Sequence, residues 1–387
     1  MTGGALAVLL TAQISLHDAL LAVDLDVMLF LFAMFITGRS LVASGYLYYL
    51  SYHLFSRVRS TNALVLFLLL IGGLTSALLM NDTLAIIGTP LVLRLAREHR
   101  IEEKLLLLAL ALGITIGSVM SPIGNPQNLL IAIHGHINDP FITFFQALAI
   151  PTLINLLLAY AVLRWMFRGS FHAVELVHQP ATLMDPQLAR LARYSLWIII
   201  SLVGIKILSV MLFNSAGIKL SYIAVAGALP ILLFSSQRIS LVKTVDWATL
   251  VFFIALFVLM ASVWQSGLFQ TLIENSRLNF TSVPVVMSVS LLLSQLFSNV
   301  PLTALYLPLL DHANAPVLSY MALAAGSTIA GNLLVLGAAS NVIIIQNAEQ
   351  HGATLSFVEF ARIGIPVAVI NISVYWGYFY LIYKMTV

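Results

Sequence analysis

Residues 76–90 read SALLMNDTLAIIGTP and residues 294–308 read SQLFSNVPLTALYLP, so one pattern recurs 218 positions later with an asparagine (Asn81, Asn299) nine residues before a proline (Pro90, Pro308). In the first copy, only about a dozen residues separate Asp82 from Arg94, too few to cross a bilayer, while one helix over 62–97 is far too long. A re-entrant hairpin with its tip at Asn81–Thr83 meets both constraints. The repeat assigns a second hairpin to 282–311 with its tip at Ser298-Asn299-Val300-Pro301.

Composition fixes the surroundings. The chain is 60% apolar and 9% charged with a mean hydropathy of +1.01, where a soluble domain carries roughly a quarter charged residues. It reads as an all-α, multi-pass protein of the inner or plasma membrane, with the lipid bilayer as its main partner. The net charge of +3 comes from short loops between apolar spans, so it signals topology and not nucleic-acid binding. Without cysteine there is no disulfide framework and no thiolate metal site. Residues 3–23 lack a basic start and a clear cleavage site, so they are expected to be a first helix and not a removable leader.

Spans of about 20 apolar residues are expected near 3–23, 26–48, 103–134 (interrupted), 142–166, 193–213, 217–236, 246–269, 317–348 (interrupted) and 357–382. That makes about nine full spans plus two hairpins. With both hairpins re-entrant, thirteen Lys and Arg between Arg57 and Arg362 fall on one side, and Lys219, Arg277 and Lys384 on the other. The basic side is expected to be cytoplasmic, with the N-terminus there too.

The duplication is wider than the tips. Residues 24–45 align without gaps on 246–267, matching Asp24, Phe35, Ser44 and Gly45 to Asp246, Phe257, Ser266 and Gly267. Gly124 and Asn128 match Gly337 and Asn341, and Ile150-Pro151 match Ile365-Pro366. Five crossings separate the copies, an odd number, so the second is inverted. The expected organisation is a first helix (1–23), repeat 1 (24–168), a cytoplasmic linker (169–192), two connecting helices (193–245) and repeat 2 (246–387). Inverted repeats with broken helices place their functional centre between the copies.

Chemistry is expected at four non-helical places: the two tips, and the breaks Ser121–Asn128 and Gly337–Asn341. Proline removes a donor and glycine tolerates unwound backbone, so Pro122, Gly124 and Pro126 open the first break. Carbonyls freed there, with Asn and Ser oxygens, suit Na⁺, while the amide ends of half-helices favour anions. Asp82 is the one acidic residue this topology places deep in the membrane. There an unpaired carboxylate costs about 2.5–3.5 kcal/mol, so it is a candidate coupling-ion or proton site, or else a helix cap. Arg39 and Lys206 fall mid-helix as candidate counter-charges or snorkelling side chains. Gln295, Ser327, Thr328 and Asn332 are candidate supporting contacts or interhelical polar glue. His134 and His136 read as a solvated outer loop. No HExxH, GxSxG, paired intramembrane aspartates or Walker motif occurs, so an enzyme or an ATP-driven pump is not expected.

SALLMNDTLAIIGTP, SPIGNPQN, SNVPLTALYLP and AGNLLVLGAASN resemble the signature segments of the ion transporter superfamily, which includes arsenite permeases, bacterial sodium/proton antiporters and divalent anion/sodium symporters. The likeness covers roughly residues 24–384. It implies a secondary transporter, a homodimer with a scaffold and a mobile transport domain, working as an elevator. It implies a first cation site at Asn81, Thr83, Ser121, Gly124 and Asn128, and a second at Ser298, Asn299, Gly337 and Asn341. Substrate, a small inorganic or organic anion, would lie between the tips near Asn81, Asp82, Thr83, Asn125, Asn128, Ser298, Asn299 and Asn341. Na⁺ or H⁺ is the expected coupling ion, and no other cofactor is expected. The chain departs from the dicarboxylate symporters, whose tips read Ser-Asn-Thr: here they read Met80-Asn81-Asp82 and Ser298-Asn299-Val300. An Asn-Asp tip is closer to the permease and antiporter branches, so an antiporter exchanging at Asp82 stands as the alternative.

Overall fold

A computed structural model describes the chain except residues 56–57, 172–182, 214–217, 269, 272–277 and 387. Every regular element among the described residues is helical, as expected for backbone that must satisfy its own hydrogen bonds in lipid. Two short helices, α1 (Thr2–Leu10) and α2 (Leu16–Ala22), lead into α3 (Leu25–Ala43) and α4 (Tyr46–Phe55). Then come α5 (Thr61–Leu79), α6 (Asn81–His99), α7 (Glu103–Ser118), α8 (Pro126–His134) and α9 (Pro140–Met166). The connecting helices are α10 (Pro186–Phe213), α11 (Leu220–Phe234) and the short α12 (Arg238–Lys243). The second copy comprises α13 (Trp247–Gln265), α14 (Val283–Phe297), α15 (Asn299–His312), α16 (Val317–Leu333), α17 (Ala339–Gln350) and α18 (Phe357–Thr386).

Side-chain pairs sort the helix ends onto two faces. The first face holds both ends of the α5–α6 hairpin. Asn62 accepts from Arg164 at the end of α9 (2.6 Å), Arg97 pairs with Glu103 at the start of α7 (2.7 Å), and Ser170 donates to Glu102 (2.8 Å). The second face holds both ends of the α14–α15 hairpin: Ser319 donates to the Thr281 carbonyl (2.6 Å), and Asp311 pairs with His136 just after α8 (3.0 Å). The hairpins therefore enter from opposite sides, and the broken helices α7–α8 and α16–α17 run antiparallel. At about 1.5 Å per residue, the 16-residue α7 and 9-residue α8 set the first break about 24 Å from one face and about 14 Å from the other. The inverted repeat read from the sequence is thus the architecture.

Equivalent positions repeat the same local chemistry. Asp24 caps α3 by accepting from Val27 N (2.9 Å), and Asp246 caps α13 by accepting from Thr249 N (3.0 Å). Met80 and Ser298 turn their hairpins with φ of 65° and 67°. Neither is glycine, so each tip carries backbone strain that the packing around it must hold. Helices α7 and α16 form the centre: every residue from Leu105 to Ser118 and from Ser319 to Asn332 is buried. Helix α5 crosses α7 so closely that a Cβ on Gly117 would lie 2.2 Å from Gly73 Cα, a contact only glycine permits. Helix α10, by contrast, turns most of its apolar surface outward, as a lipid-facing span does.

Several boundaries differ from those expected. Residues 3–23 are not one span, because the chain breaks between Leu10 and Leu16, where Ser15 starts a new helix by accepting from Asp18 N (3.0 Å). Neither piece reaches the length of a crossing; α1 packs instead on α13, with Gly4 against Leu259. The span expected at 26–48 ends at Ala43, where Gly45 adopts φ 72° and α4 starts in a new direction. Among the described residues, six helices are each long and apolar enough to cross alone, α3, α5, α9, α10, α13 and α18, and the interrupted pairs α7–α8 and α16–α17 are not counted among them. One of those six, α5, is a hairpin arm that returns through α6. Much of the 169–192 linker lies outside the described residues, and α10 already begins at Pro186.

Candidate functional site

The tips are tighter than expected. Only Met80 and Ser298 are non-helical, so Asn81, Asp82 and Thr83 form the first turn of α6, and Asn299, Val300 and Pro301 that of α15. The same holds at the breaks, where Asn128 and Asn341 sit in the first turns of α8 and α17.

The first tip meets the first break directly. Asn81 N donates to the Gly124 carbonyl (2.9 Å), and Asn81 Nδ2 reaches Ser340 Oγ in the second break (3.4 Å). One tip therefore touches both interrupted helices. Within the first break, Asn128 Nδ2 donates to the carbonyls of Ser118, Val119 and Ser121 (3.1, 3.1 and 3.0 Å). These carbonyls lie where the chain unwinds after α7, and Ser118 and Ser121 otherwise accept only long turn bonds from Ser121 N (3.4 Å) and Gly124 N (3.3 Å). Asn125 caps α8 through its Oδ1 (2.8 Å), while its Nδ2 donates to Ser118 Oγ (3.0 Å) and Thr328 Oγ1 (3.2 Å). Gln127 Nε2 also donates to Thr328 (3.1 Å), and Thr328 Oγ1 donates to Asn128 Oδ1 (3.4 Å). Thr328, on the opposite repeat, thereby ties α8 to α16.

The second break follows the same logic. Asn341 Nδ2 donates to the Gly331 carbonyl (2.6 Å), and Gln295 Nε2 donates to the adjacent Ala330 carbonyl (2.9 Å) and to Leu291 (3.1 Å). A carbonyl can only accept, so these amides are locked with their oxygens turned away. Asn341 Oδ1 and Gln295 Oε1 are buried and unpartnered, as is Asn81 Oδ1. A Cβ on Gly337 would lie 3.0 Å from Gln295 Oε1, so this backbone comes close to that oxygen. At the second tip, Asn299 Oδ1 accepts from Val300 N (3.0 Å) and Ser298 Oγ (3.3 Å). Asn81 Oδ1, Gln295 Oε1 and Asn341 Oδ1 are thus buried neutral oxygens without a donor, the kind of ligand atom that a hard cation takes.

Of the remaining candidates, Thr83 faces α3 and not the break: a Cβ on Gly38 would lie 2.6 Å from Thr83 Cγ2. Ser121 and Gly124 share the first break with Asn128. Asp82 does not cap its helix, and makes no hydrogen bond or ion pair among the described residues. It lines a crevice of about 430 Å³ with Arg39 of α3 and Asp246 at the start of α13. Asp246 is a charged member that the sequence reading matched to Asp24 without placing it at the site. Lys206 is not at the middle of its helix: it lies toward the second-face end of α10 (Pro186–Phe213) and donates to the Ile218 carbonyl (3.0 Å). Ser327 bonds back to Leu323 O, and Asn332 donates to Asn371 (3.3 Å) in α18. His134 and His136 are not merely solvated, since they pair with Asp24 (2.6 Å) and Asp311 (3.0 Å). No group of three metal-ligating side chains occurs among the described residues.

A second crevice, of about 1210 Å³, opens at the other face. Its lining is the repeat-equivalent of the first: Phe257 for Phe35, Ala261 for Arg39, Trp264 for Val42, Asp24 for Asp246 and Leu130 for Ile343. One crevice is narrow and carries Arg39 and Asp82. Its counterpart is wide and carries Ala261 and, on the hairpin, Ala304 and Pro308.

The comparisons with known proteins agree with this geometry. The chain is 28% identical over 407 residues to the 46 kDa membrane protein of Mycobacterium leprae, covering 99% of this chain and 93% of the relative. It is 27% identical to the silicon efflux transporter LSI3 of Oryza sativa subsp. japonica, covering 94% of this chain and 88% of LSI3. It is 26% identical to the human P protein over 91% of this chain, spanning about half (53%) of that longer protein. The YdaH transporter of Alcanivorax borkumensis shares the fold, with a TM-score of 0.61 at 13% identity over 93% of this chain and 84% of YdaH. A family profile described as citrate transporter (CitMHS) matches residues 1–316; with its hairpins and broken helices arranged as above, the chain belongs to the citrate transporter family and is a membrane transporter.

Proposed function

We propose that this protein is a secondary active transporter that couples a small oxyanion or organic anion to Na⁺ or H⁺ by moving the hairpins and broken helices past α3 and α13. The observation that carries the reading is the meeting of the first tip with both breaks, through Asn81 to Gly124 and Ser340. Unwound half-helix ends brought together inside the bilayer supply what a dehydrated ion needs. The unpartnered oxygens of Asn81 and Asn341 suit the coupling cation. The two repeat-related crevices, one narrow and one wide, suit access from alternate faces. The family's citrate-transporter description favours a carboxylate or similar anion as cargo. Positive-inside charge supports a cytoplasmic first face, and the superfamily resemblance supports a homodimer working as an elevator.

One observation favours a second reading. Asp82 and Asp246 line the same crevice with a single arginine, so the crevice carries more acid than base, as a cation/proton exchanger requires. Charge movement in proteoliposomes on a solid support separates the two. Currents that need citrate, succinate, sulfate or arsenite together with Na⁺ support the anion reading. A pH-dependent Na⁺ current without any anion, lost in Asp82→Asn, supports the exchanger and overturns it.

A further inference from the structure

Where α9 leaves the membrane at the first face lies a cleft of about 910 Å³ lined by Asn62, Tyr160, Arg164, Trp165, Arg168 and Phe171. It takes no part in the transport centre, which is at the other end of α7. The geometry points to a binding site for the head group of an anionic phospholipid, its phosphate held by Arg164 and Arg168.

Both guanidiniums are exposed and pre-positioned. Arg164 Nη1 donates to Asn62 Oδ1 (2.6 Å) and to Tyr160 OH (3.1 Å), which leaves its other donors to face outward. Arg168 sits over the Trp165 ring, 5.9 Å from its centroid. Among the described residues neither has a carboxylate partner, and nearby Glu102 already accepts from Ser170 (2.8 Å). Two planar, uncompensated forks four residues apart match a phosphodiester better than any neutral ligand. Depth selects a lipid over a soluble anion. Helix α9 is an apolar span ending at Met166, and Trp165, 64% exposed beside its end, is the residue type that rests at the head-group level of a bilayer. Basic pockets between helix ends on the cytoplasmic side are where acidic head groups bind. The same cleft joins the start of α5 to the end of α9, so an occupied site would brace the outer end of the first hairpin.

Native mass spectrometry of the purified full-length protein tests this, titrating phosphatidylglycerol against phosphatidylcholine for wild type, Arg164→Gln/Arg168→Gln and, as a control for loss of an arginine elsewhere on the chain, Arg238→Gln. The expected result is preferential retention of phosphatidylglycerol by wild type and Arg238→Gln, and roughly thirtyfold weaker retention by the double variant, at about 1 kcal/mol per arginine. Equal retention of the two lipids by wild type overturns the proposal without needing any variant. So does undiminished phosphatidylglycerol binding in a double variant that remains monodisperse. Displacement of phosphatidylglycerol by millimolar inorganic phosphate reassigns the cleft to a soluble anion and likewise overturns it.

Discussion

The backbone N–H of Asn81 donates to the carbonyl of Gly124 at 2.9 Å, across 43 residues and from a hairpin tip to the middle of a broken helix. Neither group has a partner within its own helix: Asn81 begins α6, and Gly124 lies in the unwound turn between α7 and α8. Each satisfies the other, so the tip and the break define one position. The proposed transport centre is built on that shared dependence.

Asn128 is the residue on which the first break depends most. Its Nδ2 bridges three carbonyls, and Asn128→Leu takes the amide donor from Val119 O and leaves Ser118 O and Ser121 O with only long turn bonds from Ser121 N (3.4 Å) and Gly124 N (3.3 Å). A loss of about 2–3 kcal/mol or more is expected, since each buried unpaired group costs about 1–3 kcal/mol. Asn128→Asp should be worse, because a carboxylate would face the same three oxygens. Thermal unfolding in detergent, alongside uptake in vesicles, checks both. Stability equal to wild type in Asn128→Asp would contradict the assignment.

Gly38 fixes how closely α3 approaches the first hairpin. Gly38→Ala places its Cβ 2.6 Å from Thr83 Cγ2, and overpacking of this kind costs about 1–3 kcal/mol. Thr83→Ser removes that methyl while keeping the hydroxyl. The double variant Gly38→Ala/Thr83→Ser should recover most of the transport rate lost in Gly38→Ala. Additive losses would show that the two residues do not press on each other.

Arg39, Asp82 and Asp246 share one crevice, which makes their variants non-additive. Asparagine caps a helix about as well as aspartate, so Asp246→Asn keeps the α13 start and removes only its charge. Arg39→Gln leaves two carboxylates against each other and should lower the yield of folded protein sharply. Arg39→Gln/Asp246→Asn should restore much of it. A double variant as poor as Arg39→Gln alone would mean that Arg39 is not their counter-charge. Folded yield by fluorescence size-exclusion reads this directly.

Much of this was legible in the sequence because the duplication carried it. A pattern repeated at a fixed offset, with Asn81 and Asn299 in register, gave hairpins, breaks and inversion together, and length and charge chose the re-entrant topology. The first 23 residues were misread because apolar length alone cannot see the Ser15 cap that splits them. The direction of Thr83 was likewise hidden, since it depends on Gly38 of another helix. Asp246 was visible as the partner of Asp24 in the alignment, but its place in one crevice with Asp82 follows from the packing of α13 and α6 against α3. The amide locking of Gln295 and Asn341 needed the positions of the Ala330 and Gly331 carbonyls, which no spacing rule supplies.

The most direct test of alternating access uses the absence of native cysteine. Single cysteines at the equivalent positions Val42→Cys and Trp264→Cys, one in each crevice, are labelled with a membrane-impermeant maleimide in oriented vesicles. Trp264→Cys should react from the second face in the state described here, while Val42→Cys reacts slowly from the first. Conditions that drive turnover should lower the first rate and raise the second. Fast labelling of both positions from their own faces, unchanged by ion or substrate, would contradict the account and describe a channel.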